Sequence, residues 1–140
     1  MTRNSWVPPE RRLLQLAVVL FGFVPVGAGL AGVLFGMTVF DEGAVVSREL
    51  DSHGRYLSGL LLAIGLGFWS CVPGIEARGA RARLLTAIVF IGGLARLYAV
   101  NRAGWPSIGM MGGLGMELVV TPAIALWRER VEWLAAAPRE

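Results

Sequence analysis

The sequence predicts an all-α protein, a four-transmembrane-helix bundle formed by a single integral membrane domain over residues 1–140. Hydrophobic residues make up 55% of the chain and charged residues only 16%, against roughly 25% charged in soluble domains. The mean hydropathy is +0.60, and the charges stand between four long apolar runs. This composition disfavours a soluble enzyme, a disordered chain and a disulfide scaffold.

The four apolar runs predict helices over about 13–38, 55–75, 84–101 and 109–130. A bilayer core about 30 Å thick is crossed by roughly 20 helical residues. None of the runs has the single apolar stripe and opposite polar face of a soluble helix. Pro25, near the middle of the long first run, predicts a kink, a tilt or a helix that continues past the membrane surface.

The beginning of the chain resembles a secretory signal peptide, because three Arg residues precede an apolar run with a small-residue motif ending at Ala28. The apolar run continues well past Ala28 to Phe40. We therefore expect this segment to stay in the protein as the first helix.

The 13 basic residues, all of them Arg, predict the orientation. Three lie in each of the N-terminal segment, the second connector and the C-terminal tail, nine in all. Because positive residues stay in the cytoplasm, we expect both termini inside and the first and third connectors outside a bacterial inner membrane. Aromatic residues at the helix ends agree: Tyr56, Tyr98 and Trp105 at the outer ends, Trp69 and Trp127 at the inner ends.

The first outer connector, residues 41–54, is acidic and is expected to hold a short surface helix over residues 44–50. It also carries the single histidine, His53, close to Asp51. One interpretation is a metal or proton site formed by these two polar residues at the outer mouth. A single histidine with scattered carboxylates is also typical of a solvated loop, which we favour, and we predict no metal site.

Small residues at four-residue spacing predict where the helices pack, because they let helix backbones approach closely in lipid. The stripes are Ala28, Gly32 and Gly36 in the first helix; Gly59, Ala63, Gly67 and Cys71 in the second; and Gly109, Gly113, Thr121 and Ala125 in the fourth.

Three charged residues, Arg55, Arg96 and Glu117, share those packing faces. By residue count, Arg96 lies about 6 Å and Glu117 about 10 Å below the outer end of its helix. An isolated charge at the centre of a membrane helix costs roughly 2.5–3.5 kcal/mol. We therefore predict an ion pair between Arg96 and Glu117, with Arg55 nearby.

Two interpretations of this pair are open with equal weight. In one, the pair fixes helix register, or Arg96 extends to the outer surface. In the other, Arg55, Arg96 and Glu117 line a pocket that binds an anionic or amphiphilic small molecule. A lipid headgroup or a quinone-like compound fits, because charge-assisted hydrogen bonds are strong.

The sequence also excludes or disfavours several other classes of function and leaves a second candidate open. The single cysteine, Cys71, excludes an internal disulfide, and the short Arg clusters disfavour nucleic-acid binding. No nucleophile–base pair or phosphate loop occurs, so we favour a protein without enzyme activity and name no cofactor. A second candidate is an accessory subunit of a larger membrane complex or a homo-oligomer. A proton-coupled carrier or an enzyme that titrates Glu117 ranks last, because repeats and broken helices are not evident.

Four short motifs are similar to those of a known family. They are Arg55-Tyr56-Leu57-Ser58-Gly59, Pro73-Gly74-Ile75-Glu76, Gly92-Gly93-Leu94-Ala95-Arg96-Leu97, and Glu117-Leu118-Val119 with Pro122. With this spacing the chain resembles, over roughly residues 13–131, the bacterial membrane family called domain of unknown function 4345 (DUF4345). The resemblance implies a four-helix inner-membrane protein and does not imply an activity. The arrangement is also loosely similar to DoxX-like four-helix proteins.

Overall fold

The computed structural model describes residues 9–40 and 45–136, and these are helical almost throughout. The α-helices are α1 (Pro9–Phe35), α2 (Arg48–Cys71), α3 (Gly79–Ala103), α4 (Ile108–Gly115) and α5 (Thr121–Ala136). A π-helical turn, Met116–Val120, joins α4 to α5, so that Ile108–Ala136 forms one helical run. Within the described ranges the chain contains no strand.

Four helical segments are long and apolar enough to cross a membrane: Pro9–Phe35, Arg48–Gly74, Gly79–Ala103 and Ile108–Ala136. Large apolar side chains on these segments are widely exposed, including Leu34 at 59%, Ile91 at 65% and Leu126 at 71%. Exposed apolar surface of this extent indicates a lipid environment. The predicted all-α class with four membrane-length helices is confirmed.

The start of α2 differs most from the sequence-based expectation. Ser47 caps this helix, because its side chain accepts a hydrogen bond of 3.2 Å from the backbone N–H of Leu50. The acidic first turn adds favourable charge at the helix N-terminus. The predicted surface helix over residues 44–50 is therefore wrong: α2 itself begins at Arg48. Residues 41–44 of the acidic connector lie outside the described residues.

The other helix ends also differ from the predicted limits. α1 passes through Pro25 without interruption and ends at Phe35, because Gly36 has a φ of 78°, in the left-handed region that terminates helices. α3 exceeds its predicted range at both ends, and α5 extends to Ala136. The tail beyond it, residues 137–140, lies outside the described residues.

The chain divides into two compact units, one formed by residues 17–72 and the other by the described residues before 17 and after 72. In the first unit, α1 and α2 approach through glycines. A Cβ atom on Gly29 would lie 2.8 Å from the Cα atom of Leu62 and 2.8 Å from the carbonyl oxygen of Ser58. A Cβ atom on Gly65 of α2 would lie 3.0 Å from the backbone N atom of Val26 on α1. The two helix backbones are therefore in direct contact, as close packing in lipid requires.

The predicted stripes are partly correct. Gly32 faces the Ser58 side chain, as a stripe position in the first helix should. In α2 the close approach occurs at Gly65, whereas a Cβ atom on Gly59 would find only Val33 at 4.0 Å. In the fourth run, nothing among the described residues lies within 4 Å of a Cβ atom built on Gly109 or Gly113, so the stripe is wrong at these two positions for contacts within the chain.

Replacement of Gly29 by Ala is expected to lower the free energy of unfolding by about 1–3 kcal/mol, because the added methyl group collides with backbone atoms. Gly27→Ala is the matched control on the same helix, since nothing lies within 4 Å of its Cβ position. The control should be neutral or stabilising by about 0.5–1 kcal/mol. Unfolding in detergent titrations measures both, and equal stability of the two variants would contradict the close packing.

Trp69 also holds the first unit together. Its indole Nε1 donates a hydrogen bond of 3.1 Å to the carbonyl oxygen of Val19. Its ring meets that of Phe23 edge-on, with centroids 4.9 Å apart. Trp69, predicted as an interfacial anchor, therefore makes its hydrogen bond within the protein.

The second unit pairs α3 with α5 in antiparallel directions. Early residues of α3 meet late residues of α5, as Arg83 does with Glu129. Later on α3, Gly93 lies beside Leu118 in the π-helical turn that leads into α5. This register decides which charged side chains of the two helices can meet.

Candidate binding site at an ion pair between membrane-length helices

Arg96 and Glu117 form an ion pair between α3 and the π-helical turn. The Nε atom of Arg96 donates to Oε2 of Glu117, and its Nη2 atom donates to Oε1, both over 3.0 Å. The side chains are 31% and 19% exposed. The ion pair predicted from the sequence is thus formed, in the two-bond geometry that makes Arg–carboxylate contacts strong.

Gly93, one turn before Arg96, lets the two segments come together. A Cβ atom on Gly93 would lie 2.9 Å from the Cβ atom of Glu117 and 2.7 Å from Cδ2 of Leu118. Both distances are shorter than side chains tolerate. Of the two glycines before Arg96, Gly93 is therefore the one where any other residue would force a neighbouring side chain to move.

The π-helical turn aims Glu117 at α3. Pro122 has no backbone N–H and cannot continue the regular hydrogen-bond pattern. The backbone N–H of Thr121 bonds the carbonyl oxygen of Met116, and the Thr121 hydroxyl donates to the same oxygen over 2.8 Å. Such turns add a residue to a helix, change the direction of its side chains and occur frequently at functional sites.

The Arg96 guanidinium keeps hydrogen-bonding capacity beyond the ion pair. Of its five N–H donors, two serve Glu117, and Nη1 has a contact of 3.3 Å with the weak acceptor Sδ of Met110. α3 continues seven residues past Arg96 to Ala103, about 10 Å along the helix. Arg96 is therefore further from the end of its helix than predicted, because α3 is longer than its apolar run.

Arg55 lies in the other unit and caps the end of α1. Its Nη1 atom donates to the carbonyl oxygens of Val33 and Leu34 over 2.7 and 3.2 Å. Its Nε atom donates to Asp51 Oδ2 over 2.8 Å, and Asp51 Oδ1 accepts from the backbone N–H of Met37 over 3.1 Å. These contacts satisfy carbonyl groups that the end of a helix leaves without partners.

This cluster changes the interpretation of two predicted site residues. Asp51, expected at an outer mouth with His53, instead balances the charge of Arg55. His53 is exposed, with its ring 6.3 Å from that of Tyr56; the predicted exposure is correct, but the residue lies on α2 and not in a loop. In the part of the chain that the structure describes, no three His, Cys, Asp or Glu residues stand together as metal ligands would. A place for Arg55 beside Arg96 stays a prediction.

A second charged cluster, which we call the Arg128 cluster, contains Arg128, Glu129, Glu132 and Arg83. The Arg128 side chain is only 3% exposed, and its Nη2 atom donates to Glu129 over 2.6 Å and to Glu132 over 2.9 Å. Arg83 donates to the same Glu129 over 2.9 Å. Among the described residues, the buried Nε atom of Arg128 has no hydrogen-bond partner.

Two further ion pairs belong to the same unit. Arg11 pairs with Glu76 over 3.1 Å and Arg130 with Glu10 over 3.2 Å. The sequence predicts the Arg residues of these pairs only as cytoplasmic charges, names Glu76 only within a family motif, and does not single out Arg128. A signal was present in the i,i+4 spacing of Arg128 and Glu132, which favours a pair on one helix face.

Four apolar helices and an ion pair within their membrane-length segments define a small multi-pass membrane protein. The chain belongs to the family described as Domain of unknown function (DUF4345), whose model matches residues 13–128. The family resemblance of the sequence motifs is thereby confirmed. The searches of curated proteins and of solved structures found no match.

Proposed function

We propose that the protein resides in a bacterial inner membrane, with both termini in the cytoplasm, and that its Arg96–Glu117 pair binds an anionic or amphiphilic small molecule from the outer side. The observation that carries this proposal is a partly exposed guanidinium, oriented by a carboxylate, that still has N–H donors to offer. A lipid, through its headgroup, and a quinone-like compound both fit these donors. Each has a hydrogen-bond acceptor oxygen joined to an apolar tail.

The two side chains have different tasks in this proposal. Arg96 donates hydrogen bonds to the ligand, and Glu117 holds the guanidinium plane in one orientation through its two bonds. Because the pair is neutral as a whole, affinity comes from directed hydrogen bonds rather than from net charge. A hydrogen bond to a charged group contributes about 1.5–3 kcal/mol.

Arg96→Gln is expected to weaken binding of dodecyl phosphate or decylubiquinone by roughly 10- to 100-fold, the equivalent of that hydrogen-bond energy. Titrations with the protein in phosphatidylcholine nanodiscs, followed by tryptophan fluorescence, measure the change. Selective binding of the phosphate identifies an anionic headgroup, and selective binding of the quinone identifies a quinone-like ligand.

Arg102→Gln is the matched control, because it removes the same charge from the last turn of α3, where Arg102 is exposed. This variant should bind the probe as the wild type does. Equal losses in both variants, or an unchanged affinity of Arg96→Gln, would contradict the proposed site.

The alternative function is that of an accessory subunit of a larger membrane complex or of a homo-oligomer. Gly109, Gly112 and Gly113 favour it, because within the described residues nothing occupies the space beside them and small residues mark helix contacts in lipid. Mild detergent extraction followed by mass measurement tests this alternative. A stoichiometric partner or a second copy supports it, and a monomer contradicts it.

A further inference from the structure

An open groove of about 330 Å³ lies between α3 and α5. It is lined by Arg83, Thr86, Ala87 and Phe90 from α3 and by Pro122 and Ala125 from α5. The α3 residues follow i, i+3, i+4, i+7 spacing and so share one helix face.

The lining residues explain why the space between the helices is not filled. Ala87 and Ala125 have short side chains, and Pro122 offers only its compact ring. From Arg83 to Phe90 the groove follows α3 for seven residues, about 10 Å. Beyond Arg83 and Thr86 the lining side chains are apolar. Both walls belong to membrane-length segments, so the groove opens where lipid chains would lie.

One end of the groove is cationic. Arg83 is 58% exposed, and its single hydrogen bond to Glu129 leaves four of its five N–H donors without a partner among the described residues. Glu129 also accepts from Arg128, and Arg128 pairs with Glu132 as well, so the four formal charges of the Arg128 cluster balance. What Arg83 offers a ligand is its exposed guanidinium with the remaining N–H donors.

The net positive charge at this end of the groove comes from the surrounding segments. The segments 9–12, 76–83 and 128–132, joined by the ion pairs described above, contain seven Arg and four Glu, a net charge of +3. The Arg residues are Arg11, Arg12, Arg78, Arg81, Arg83, Arg128 and Arg130; the Glu residues are Glu10, Glu76, Glu129 and Glu132.

We propose that this groove binds an anionic phospholipid, with one acyl chain along Ala87 and Phe90 and the phosphate on Arg83. A cationic group at the end of an apolar groove matches a molecule with an anionic head and a hydrocarbon tail. The Arg count predicts this end to be cytoplasmic, where anionic lipids attract basic residues. The site is independent of the ligand proposed for Arg96, which lies more than three turns further along α3.

The test uses nanodiscs with equal amounts of phosphatidylglycerol and phosphatidylcholine that carry identical acyl chains. Native mass spectrometry of the released protein gives the ratio of the two lipids that stay bound. The wild type is expected to retain phosphatidylglycerol several-fold over phosphatidylcholine, and Arg83→Gln should bring that ratio close to one. Arg102→Gln, on the same helix, should keep the wild-type ratio.

Glu129→Gln should raise the phosphatidylglycerol ratio, because it frees Arg83 from its counter-charge while Glu132 still pairs with Arg128. A rise is a result that loss of folding does not produce. An unchanged ratio in Arg83→Gln, or equal losses in Arg83→Gln and Arg102→Gln, would overturn the proposal.

Ala87→Phe should fill the groove and lower the total amount of retained lipid, whereas Ala99→Phe, exposed elsewhere on α3, should leave it unchanged. Equal retention in these two variants would also overturn the proposal. Arg96→Gln should not alter the phosphatidylglycerol ratio, and Arg83→Gln should not alter binding of dodecyl phosphate or decylubiquinone at Arg96. The proposals for Arg83 and for Arg96 can therefore be supported or contradicted independently of each other.

Discussion

Simultaneous replacement of Glu129 and Glu132 by Gln is expected to lower the free energy of unfolding by about 3–5 kcal/mol, because it leaves a buried charge without a counter-ion. The guanidinium of Arg128 is 3% exposed, whereas each of the two carboxylates is 43% exposed. Water can therefore compensate a carboxylate that loses its partner but cannot reach Arg128. Unfolding titrations in detergent micelles measure the difference.

Arg128→Leu is the informative comparison for that prediction. It removes the buried charge and leaves the two exposed carboxylates, one of which keeps Arg83 as its partner. We expect it to be less destabilising than the double Gln variant, since an apolar residue in place of a buried ion is often tolerated. A greater loss for Arg128→Leu than for Glu129→Gln with Glu132→Gln would contradict the assigned burial.

The Arg96–Glu117 pair is expected to show strong coupling in a double-mutant cycle. Arg96→Gln and Glu117→Gln should each lower the free energy of unfolding by about 1.5–3 kcal/mol, because each leaves a charged group without its two hydrogen bonds. The double variant should lose less than the sum of the single losses, by about 0.5–3 kcal/mol. Reversible unfolding in mixed micelles gives all three values.

The pair between Glu10 and Arg130 is the matched control for that cycle. Its side chains are 36% and 66% exposed, and exposed pairs contribute about 0.2–1 kcal/mol. Its coupling energy should therefore be the smaller of the two. Additive losses for Arg96→Gln and Glu117→Gln would show that the two side chains do not act as a pair.

The four membrane-length helices could be predicted from the sequence because apolar runs of sufficient length have few other stable structures. The helix ends could not be predicted from apolar content alone. α2 begins at Arg48, ahead of its apolar run, because the Ser47 cap and an acidic first turn stabilise polar residues as helix. α3 likewise includes charged residues at both ends.

In the candidate site, too, some contacts could be predicted from the sequence and others could not. Arg96 and Glu117 could be paired from the sequence, because each is a charge within an apolar run and the two have similar predicted depths in successive runs. The stripe of Gly109 and Gly113, which also suggested the facing side of Glu117, has no neighbour among the described residues.

The spacing of Asp51 and Arg55, four residues apart on one helix, was a signal for their ion pair. The other hydrogen bonds of Arg55 could not be predicted, since they go to backbone carbonyl oxygens at the end of α1. The burial of Arg128 depends on tertiary neighbours such as Gly79, where a Cβ atom would lie 2.9 Å from the guanidinium.

The most direct test of a ligand site at Arg96 is magic-angle-spinning NMR of the protein in phosphatidylcholine bilayers, with ¹⁵N-labelled arginine and bound dodecyl phosphate. The phosphomonoester ³¹P signal is separate from that of the lipid phosphodiester. Arg83→Gln is the background for this test, because it removes the guanidinium proposed to bind the phosphate of an anionic lipid. We predict a dipolar coupling between a guanidinium ¹⁵N and this ³¹P that is present in Arg83→Gln and is lost when Arg96→Gln is added. A coupling that persists in the double variant, or none in Arg83→Gln, would contradict a site for an anionic ligand at Arg96.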